Sequence, residues 1–149
     1  MPSDPKGSGP DPLWLVYSDG ASKGNPGAAG AGWIIRRADH SREVKNCRFL
    51  GQATNNEAEY QALMLALQEA LSLGAKAVRI CLDSELLVRQ LNGLYKVRSP
   101  ALGIFFQKTR ELLSRFSKYA IIHIPREENR EADQMANLAI RDWKGAPGA

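Results

Sequence analysis

Ser18 to Trp33 reads SDGASKGNPGAAGAGW, with glycine at five of its sixteen positions. A glycine-rich run near the start of a chain invites a phosphate-binding reading, and its flanks decide the matter. A P-loop needs Gly-Lys-Ser/Thr at the head of a helix. Lys23, the one lysine here, is followed by Gly24 and Asn25. A dinucleotide fingerprint needs its glycines between a strand and a helix. Gly30-Ala31-Gly32 instead continues into Trp33-Ile34-Ile35-Arg36, an apolar, β-branched run that reads as strand. The stretch is therefore expected to be a loop joining two strands. Asn25-Pro26-Gly27 supplies its turn chemistry, because Pro fixes φ and Gly can supply a positive one.

Outward from this loop, Leu13 to Asp19 is apolar on both faces, as a covered central strand would be. Ala31 to Arg37 and Glu43 to Gly51 complete a meander with it. The period then changes. TNNEAEYQALMLALQEALSLG is a helix with Thr54 as N-cap, Glu57 closing a capping box and Gly74 as its stop. Strand Ala77 to Asp83, helices Ser84 to Asn92 and Pro100 to Phe116, strand Tyr119 to Ile124 and helix Glu128 to Trp143 follow. A meander followed by strand–helix–strand crossovers implies an α/β fold, a five-stranded mixed sheet with helices on both faces. Its first, fourth and fifth strands should run parallel, with ligands at their carboxyl ends.

The chain has 149 residues, enough for one domain with a real core. A net charge of +4 and a pI near 9.2 lean toward an acidic partner such as nucleic acid. Cys47 and Cys81 have neither metal-ligand nor disulfide spacing, and read as buried thiols in a reducing cytoplasm. No apolar run has membrane-spanning length, so no membrane partner is expected. Residues 1–12, rich in Pro, Gly and Ser and without a secretory h-region, read as a disordered tail; 13–143 is the folded domain and 144–149 a flexible end.

Asp19 ends the first strand and Asp83 the fourth, both at the expected ligand edge. Each also has a plain structural reading, Asp19 as a turn opener and Asp83-Ser84 as a helix cap. Glu59 heads the stripe Ala62, Leu63, Ala66, Leu67, Ala70, Leu71, where an unpaired carboxylate is costly. In the last helix Asp133 borders an apolar face made by Ala136, Ile140 and Trp143. Gathered in one pocket, these four acids would need raised pKa values or bound cations. No Cys or His cluster accompanies them, and all-oxygen ligands suit Mg²⁺ or Mn²⁺. On a basic domain this points to phosphoryl chemistry, where two ions about 3.5–4 Å apart activate water and stabilise a leaving oxygen.

Four segments, YSDGASKGNPGAAGAGW, TNNEAEYQAL, LDSELLVRQLNG and PREENREADQMANLA, resemble in order and spacing the signatures of the type 1 ribonuclease H family. The resemblance runs from about Leu13 to Arg141, so that 13–143 would be the catalytic domain. It implies a ribonuclease H-like fold and a metal-dependent endonuclease that cuts the RNA strand of RNA–DNA hybrids, leaving 5′-phosphate and 3′-hydroxyl ends. It further implies two Mg²⁺ ions, which Mn²⁺ could replace, and no organic cofactor. Asp19 would bridge the ions. Glu59 and Asp83 would hold the one on the leaving-group side, and Asp133 the one presenting water. Glu59 would also lie near the ribose 2′-hydroxyl. Asn25, Thr54, Asn55 and Asn56 match positions that contact backbone and minor groove. The glycines beside Asp19 would let a bulky duplex come close.

The chain departs from the family in three places. Ile122 to Glu127 leaves no room for the histidine loop of many members, so His123 is expected to be a strand residue, with Arg126 a candidate for assisting product release. Leu94 to Pro100 is too short for the basic protrusion, which implies modest, salt-sensitive affinity. Glu85 stands where many relatives have Gln. A monomer is the default. The rival readings are a nuclease of the same fold acting on DNA and a catalytically silent hybrid-binding module.

Overall fold

A computed structural model describes residues 10–144. Most of the two terminal segments, expected at 1–12 and 144–149, therefore lies outside the described residues. Five strands and four helices follow one another: β1 (Leu13–Gly24), β2 (Gly27–Arg37), β3 (Glu43–Ala53), α1 (Asn55–Ser72), β4 (Ala77–Leu82), α2 (Glu85–Leu91), α3 (Pro100–Leu113), β5 (Lys118–His123) and α4 (Arg130–Lys144). A 3₁₀ turn, Arg126–Glu128, leads into α4. The sheet order is β3-β2-β1-β4-β5. β1, β2 and β3 pair antiparallel, while β1–β4 and β4–β5 pair parallel. This is the expected mixed sheet, with three parallel strands ending at one edge.

The glycine-rich stretch departs from its expected form. It is not a loop: β1 continues through Gly24 and β2 begins at Gly27, leaving Asn25 and Pro26 as a two-residue turn with a cis peptide between them. Gly24 has a φ of 126°, which its lack of a Cβ permits. Gly20, Gly30 and Gly32 serve packing. A Cβ on Gly32 would lie 2.3 Å from the Ala132 carbonyl oxygen, and one on Gly30 would lie 2.4 Å from that of Ala136. Both are backbone atoms of α4, so the helix rests directly on β2. Gly20 does the same for α1, its Cβ position being 2.2 Å from the Ala58 carbonyl carbon. The close approach is by the protein's own helices.

The two sheet faces follow from strand alternation. On one face Trp14, Val16, Ala31, Trp33 and Ile35 meet Tyr60, Leu63, Ala66 and Leu67 of α1 in the main core, with α3 packed beside α1. Leu63 and Leu67 are fully buried and stabilise the fold by about 1.5–3 kcal/mol each. On the other face Ala132, Ala136 and Ile140 of α4 cover the glycines of β2. The α1 capping box forms as expected: Thr54 Oγ1 accepts from the Glu57 N–H at 3.2 Å, and Glu57 Oε1 accepts from the Thr54 N–H at 2.9 Å. Gly74 ends the helix with a φ of 87°. Cys81 is buried, but Cys47, on the edge strand β3, is only partly so. Among the described residues no helix is long and apolar enough to cross a membrane.

Candidate active site

β1 and β4 run parallel side by side, pairing as far as Tyr17 with Cys81. Asp19 and Asp83 follow two residues further along each strand, so the sheet itself delivers both to one edge. Because Gly20 admits α1 to van der Waals contact, the first turns of that helix reach the same place. The Gly20 N–H donates to Glu59 Oε1 at 2.9 Å and fixes its carboxylate there. Asp19, Glu59 and Asp83 each present a ligand-type oxygen, and the three oxygens lie within 4.8 Å of one another. Among the described residues this is the one group of three or more acids, histidines or cysteines placed to hold a metal ion. Ser84, not Asp83, caps α2, its Oγ accepting from the Leu87 N–H at 3.3 Å. The capping alternative thus falls to the serine, and the Asp83 carboxylate is left for the cluster.

Such a cluster is electrostatically costly without a cation. Asp19 is only 7% exposed. Burial first, then the charges of Glu59 and Asp83, push its carboxyl well above the ordinary carboxylate range. Glu59 is raised too, chiefly by burial, while the Gly20 N–H pulls the other way. At neutral pH a cation-free cluster would therefore retain protons that an oxygen-binding divalent ion could replace.

A cleft of about 390 Å³ opens onto these acids, lined by Asp19, Glu59, Lys23, Asn55, Arg126 and Asp133 among others. Asp133 stands outside the three-acid knot, yet close enough for a side-chain hydrogen bond that also raises the Asp19 value. Asn137 Nδ2 donates to Asp133 Oδ1 at 3.2 Å and to its backbone carbonyl at 2.9 Å. Arg126, in the 3₁₀ turn, faces the cluster and acts against the rise in Glu59.

The other expected substrate positions behave differently from one another. Asn55 lines the cleft, and Asn56 is exposed beside it. Thr54 is engaged by its helix cap. Asn25 is exposed on the hairpin turn, where its Oδ1 accepts from the Asn55 N–H at 3.0 Å and so ties the turn to the start of α1. His123 is the last residue of β5 and exposed, with its Nε2 3.3 Å from the Asp83 carbonyl oxygen. No histidine loop intervenes, since the 3₁₀ turn begins at Arg126. Glu85 does not face the cleft as a bare charge, because Arg89 donates to its Oε2 at 2.7 and 2.9 Å.

Sequence reasoning missed Asn129. It is 1% exposed, and its Nδ2 donates to the Ser18 carbonyl at 2.9 Å and to Asp83 Oδ2 at 3.1 Å. Its position just before a helix, with Asp133 N–H bonded to its carbonyl at 3.2 Å, was the available signal. That signal reads as a cap and does not reveal that the side chain turns the other way, into the sheet edge.

The family model described as reverse transcriptase-like matches residues 17–139. Ribonuclease HI of Halobacterium salinarum is 40% identical over 127 residues, 85% of this chain and 64% of that protein. The chain thus spans just under two thirds of that relative, and only 35% of the similar bifunctional protein Rv2228c of Mycobacterium tuberculosis. The crystal structure of the Halobacterium salinarum RNase H1 superposes with a TM-score of 0.85 at 39% identity, covering 87% of this chain and 98% of that one. LC11-RNase H1, solved in complex with an RNA/DNA hybrid, gives a TM-score of 0.81 at 38% identity, with coverage of 87% and 98%. With its sheet order, its edge of gathered acids and these likenesses, the chain belongs to the type 1 ribonuclease H family.

Proposed function

We propose that this domain is a metal-dependent endonuclease that hydrolyses the RNA strand of RNA–DNA hybrids to 5′-phosphate and 3′-hydroxyl products. The observation that carries the reading is the convergence of Asp19, Glu59 and Asp83 on one point at the mouth of a polar cleft. Family membership and the hybrid held by LC11-RNase H1 support the substrate class.

The donor set fits Mg²⁺ or Mn²⁺. It is all oxygen, partly buried, and repulsive without a cation. Asp19 would hold both of two ions, Glu59 and Asp83 one of them, and Asp133 the other. Bound there, the ions supply an activated water and charge stabilisation for the leaving oxygen of an in-line displacement.

The chain's own groups do the rest. The Gly20 N–H and Asn129 amide hold the Glu59 and Asp83 carboxylates in place before substrate arrives. Arg126 and Asn55 offer donors along the cleft to backbone phosphates. Asn25, bonded to the Asn55 N–H, and Thr54 and Asn56 on either side of Asn55 would meet a duplex spanning the cleft at the first turn of α1. Glu59 lies where a ribose 2′-hydroxyl would separate RNA from DNA. All these groups come from one chain, so the reading needs only a monomer. Two free thiols fit a reducing compartment such as the cytoplasm.

The test is incubation with labelled RNA–DNA hybrid, duplex DNA and duplex RNA, each with Mg²⁺ or with EDTA. The expected result is Mg²⁺-dependent cutting of the hybrid's RNA strand. Cutting of DNA would assign a DNA nuclease of the same fold, and binding of the hybrid without cutting would assign a silent binding module.

A further inference from the structure

In the three-residue knot Glu59 is held by a backbone donor and Asp83 by a buried amide, but Asp133 is held by a side-chain chain that begins on another element. Lys23, near the end of β1, donates from Nζ to Asn137 Oδ1 at 2.6 Å. Asn137, one turn after Asp133 in α4, donates through Nδ2 to Asp133 Oδ1 at 3.2 Å. The two contacts depend on each other. A carboxamide has one accepting end and one donating end, whereas a lysine ammonium can only donate. With Lys23 on one side, the Asn137 oxygen must face it, and the amino group must then face Asp133. Nδ2 also donates to the Asp133 backbone carbonyl at 2.9 Å, so without Lys23 the amide keeps its direction but loses the contact that anchors its oxygen end.

We propose that Lys23 is a positioning residue for Asp133, acting through Asn137 to tie one carboxylate oxygen and leave the other free for a cation. This rests on the metal-dependent reading above. Partners of this kind orient metal ligands, and losing one typically costs about 10–100-fold in metal affinity or activity. A bare charge effect has the opposite sign. A lysine beside a cation site repels the cation, so removing only its charge would tighten metal binding. The two roles are therefore separable by direction.

The experiment is calorimetric titration of the free protein with Mg²⁺, alongside steady-state hybrid cleavage, for Lys23→Met, Asn137→Leu, the double variant and Lys23→Arg. Lys23→Met should weaken Mg²⁺ binding about tenfold, at the low end because the pair is solvent-accessible, and should lower kcat with little change in KM. Asn137→Leu, which alters no charge, should do the same. The double variant should be no worse than the weaker single, because both remove one chain of contacts. Lys23→Arg, which keeps a donor, should recover most of the loss. Unchanged or tighter Mg²⁺ binding in Lys23→Met, an effect on hybrid KM alone, or additive losses would overturn the proposal. Failure of the parent protein to cut any hybrid would instead sink the nuclease reading, while the Mg²⁺ titration would still decide the role of Lys23.

Discussion

The Gly20 backbone N–H and the Glu59 carboxylate meet at 2.9 Å only because Gly20 has no side chain. The position a Cβ would take is 2.2 Å from the Ala58 carbonyl carbon and 2.4 Å from the Glu59 nitrogen, both backbone atoms of α1. Neither can turn aside as a side-chain tip could. Gly20→Ala should therefore push the helix off the strand, destabilise the fold by about 1–3 kcal/mol or more, and shift Glu59 from its place. A displacement near 1 Å at a reacting centre can cost about a hundredfold in rate. Denaturant midpoints and hybrid cleavage check this together. Parental stability and rate in the variant would show that the close approach is dispensable.

Asn129 sustains two acceptors at once, the Ser18 carbonyl and Asp83 Oδ2. Asn129→Ala removes both donors from a place that is almost without solvent. Leaving a buried acceptor unpaired costs about 1–3 kcal/mol, so urea unfolding should register a loss of at least that size. Cleavage should fall at least about tenfold, since Asp83 then lacks the donor that orients it. A variant that unfolds at the parental midpoint would show that water substitutes for the amide.

His123 is exposed at the end of β5 and lies against a backbone carbonyl, not within the acid knot. His123→Ala should accordingly keep most of the cleavage rate at neutral pH. General acid–base help from a positioned side chain amounts to about 10²–10⁴-fold. A loss on that scale, measured as kcat under saturating hybrid, would place His123 in the catalytic group.

The acids were legible because each sits where its local pattern makes a carboxylate expensive. Glu59 heads an apolar helical stripe, and Asp19 and Asp83 end strands that crossover logic makes parallel. The glycines were misread in form. Local turn chemistry suggests a loop, whereas the reason for Gly20, Gly30 and Gly32 is a helix resting on them, which is a long-range fact. Asn129, Asn137 and Lys23 were hidden for the same reason. Their partners lie 46, 4 and 114 residues away, and only the i,i+4 pair has a sequence signature. Asp133 had a weak signal in sequence and stands outside the three-acid group in space.

The raised carboxyl groups make the cation-free protein a proton-binding state, and the sign of its pH dependence follows. In the unfolded chain Asp19 and Glu59 ionise near 3.8 and 4.5, whereas in the fold Glu59 is raised to about 7 and Asp19 higher still. For groups raised on folding, the stability contribution is complete below the unfolded values and is lost as pH climbs toward the folded ones. In EDTA the melting temperature should therefore fall between pH 5 and pH 8. Asp19→Asn removes the most perturbed member and should melt higher than the parent at pH 8 in EDTA. The rise should be about 3 °C or more, the shift that about 1 kcal/mol gives in a domain of this size. Mg²⁺ needs the deprotonated ligands, so its stabilising effect on the parent should be larger at pH 8 than at pH 5, and largely absent in the variant. Thermal melts across pH with and without Mg²⁺ decide the matter. A flat or rising EDTA profile, with Asp19→Asn melting below the parent, would mean that the carboxylates do not repel one another in one pocket.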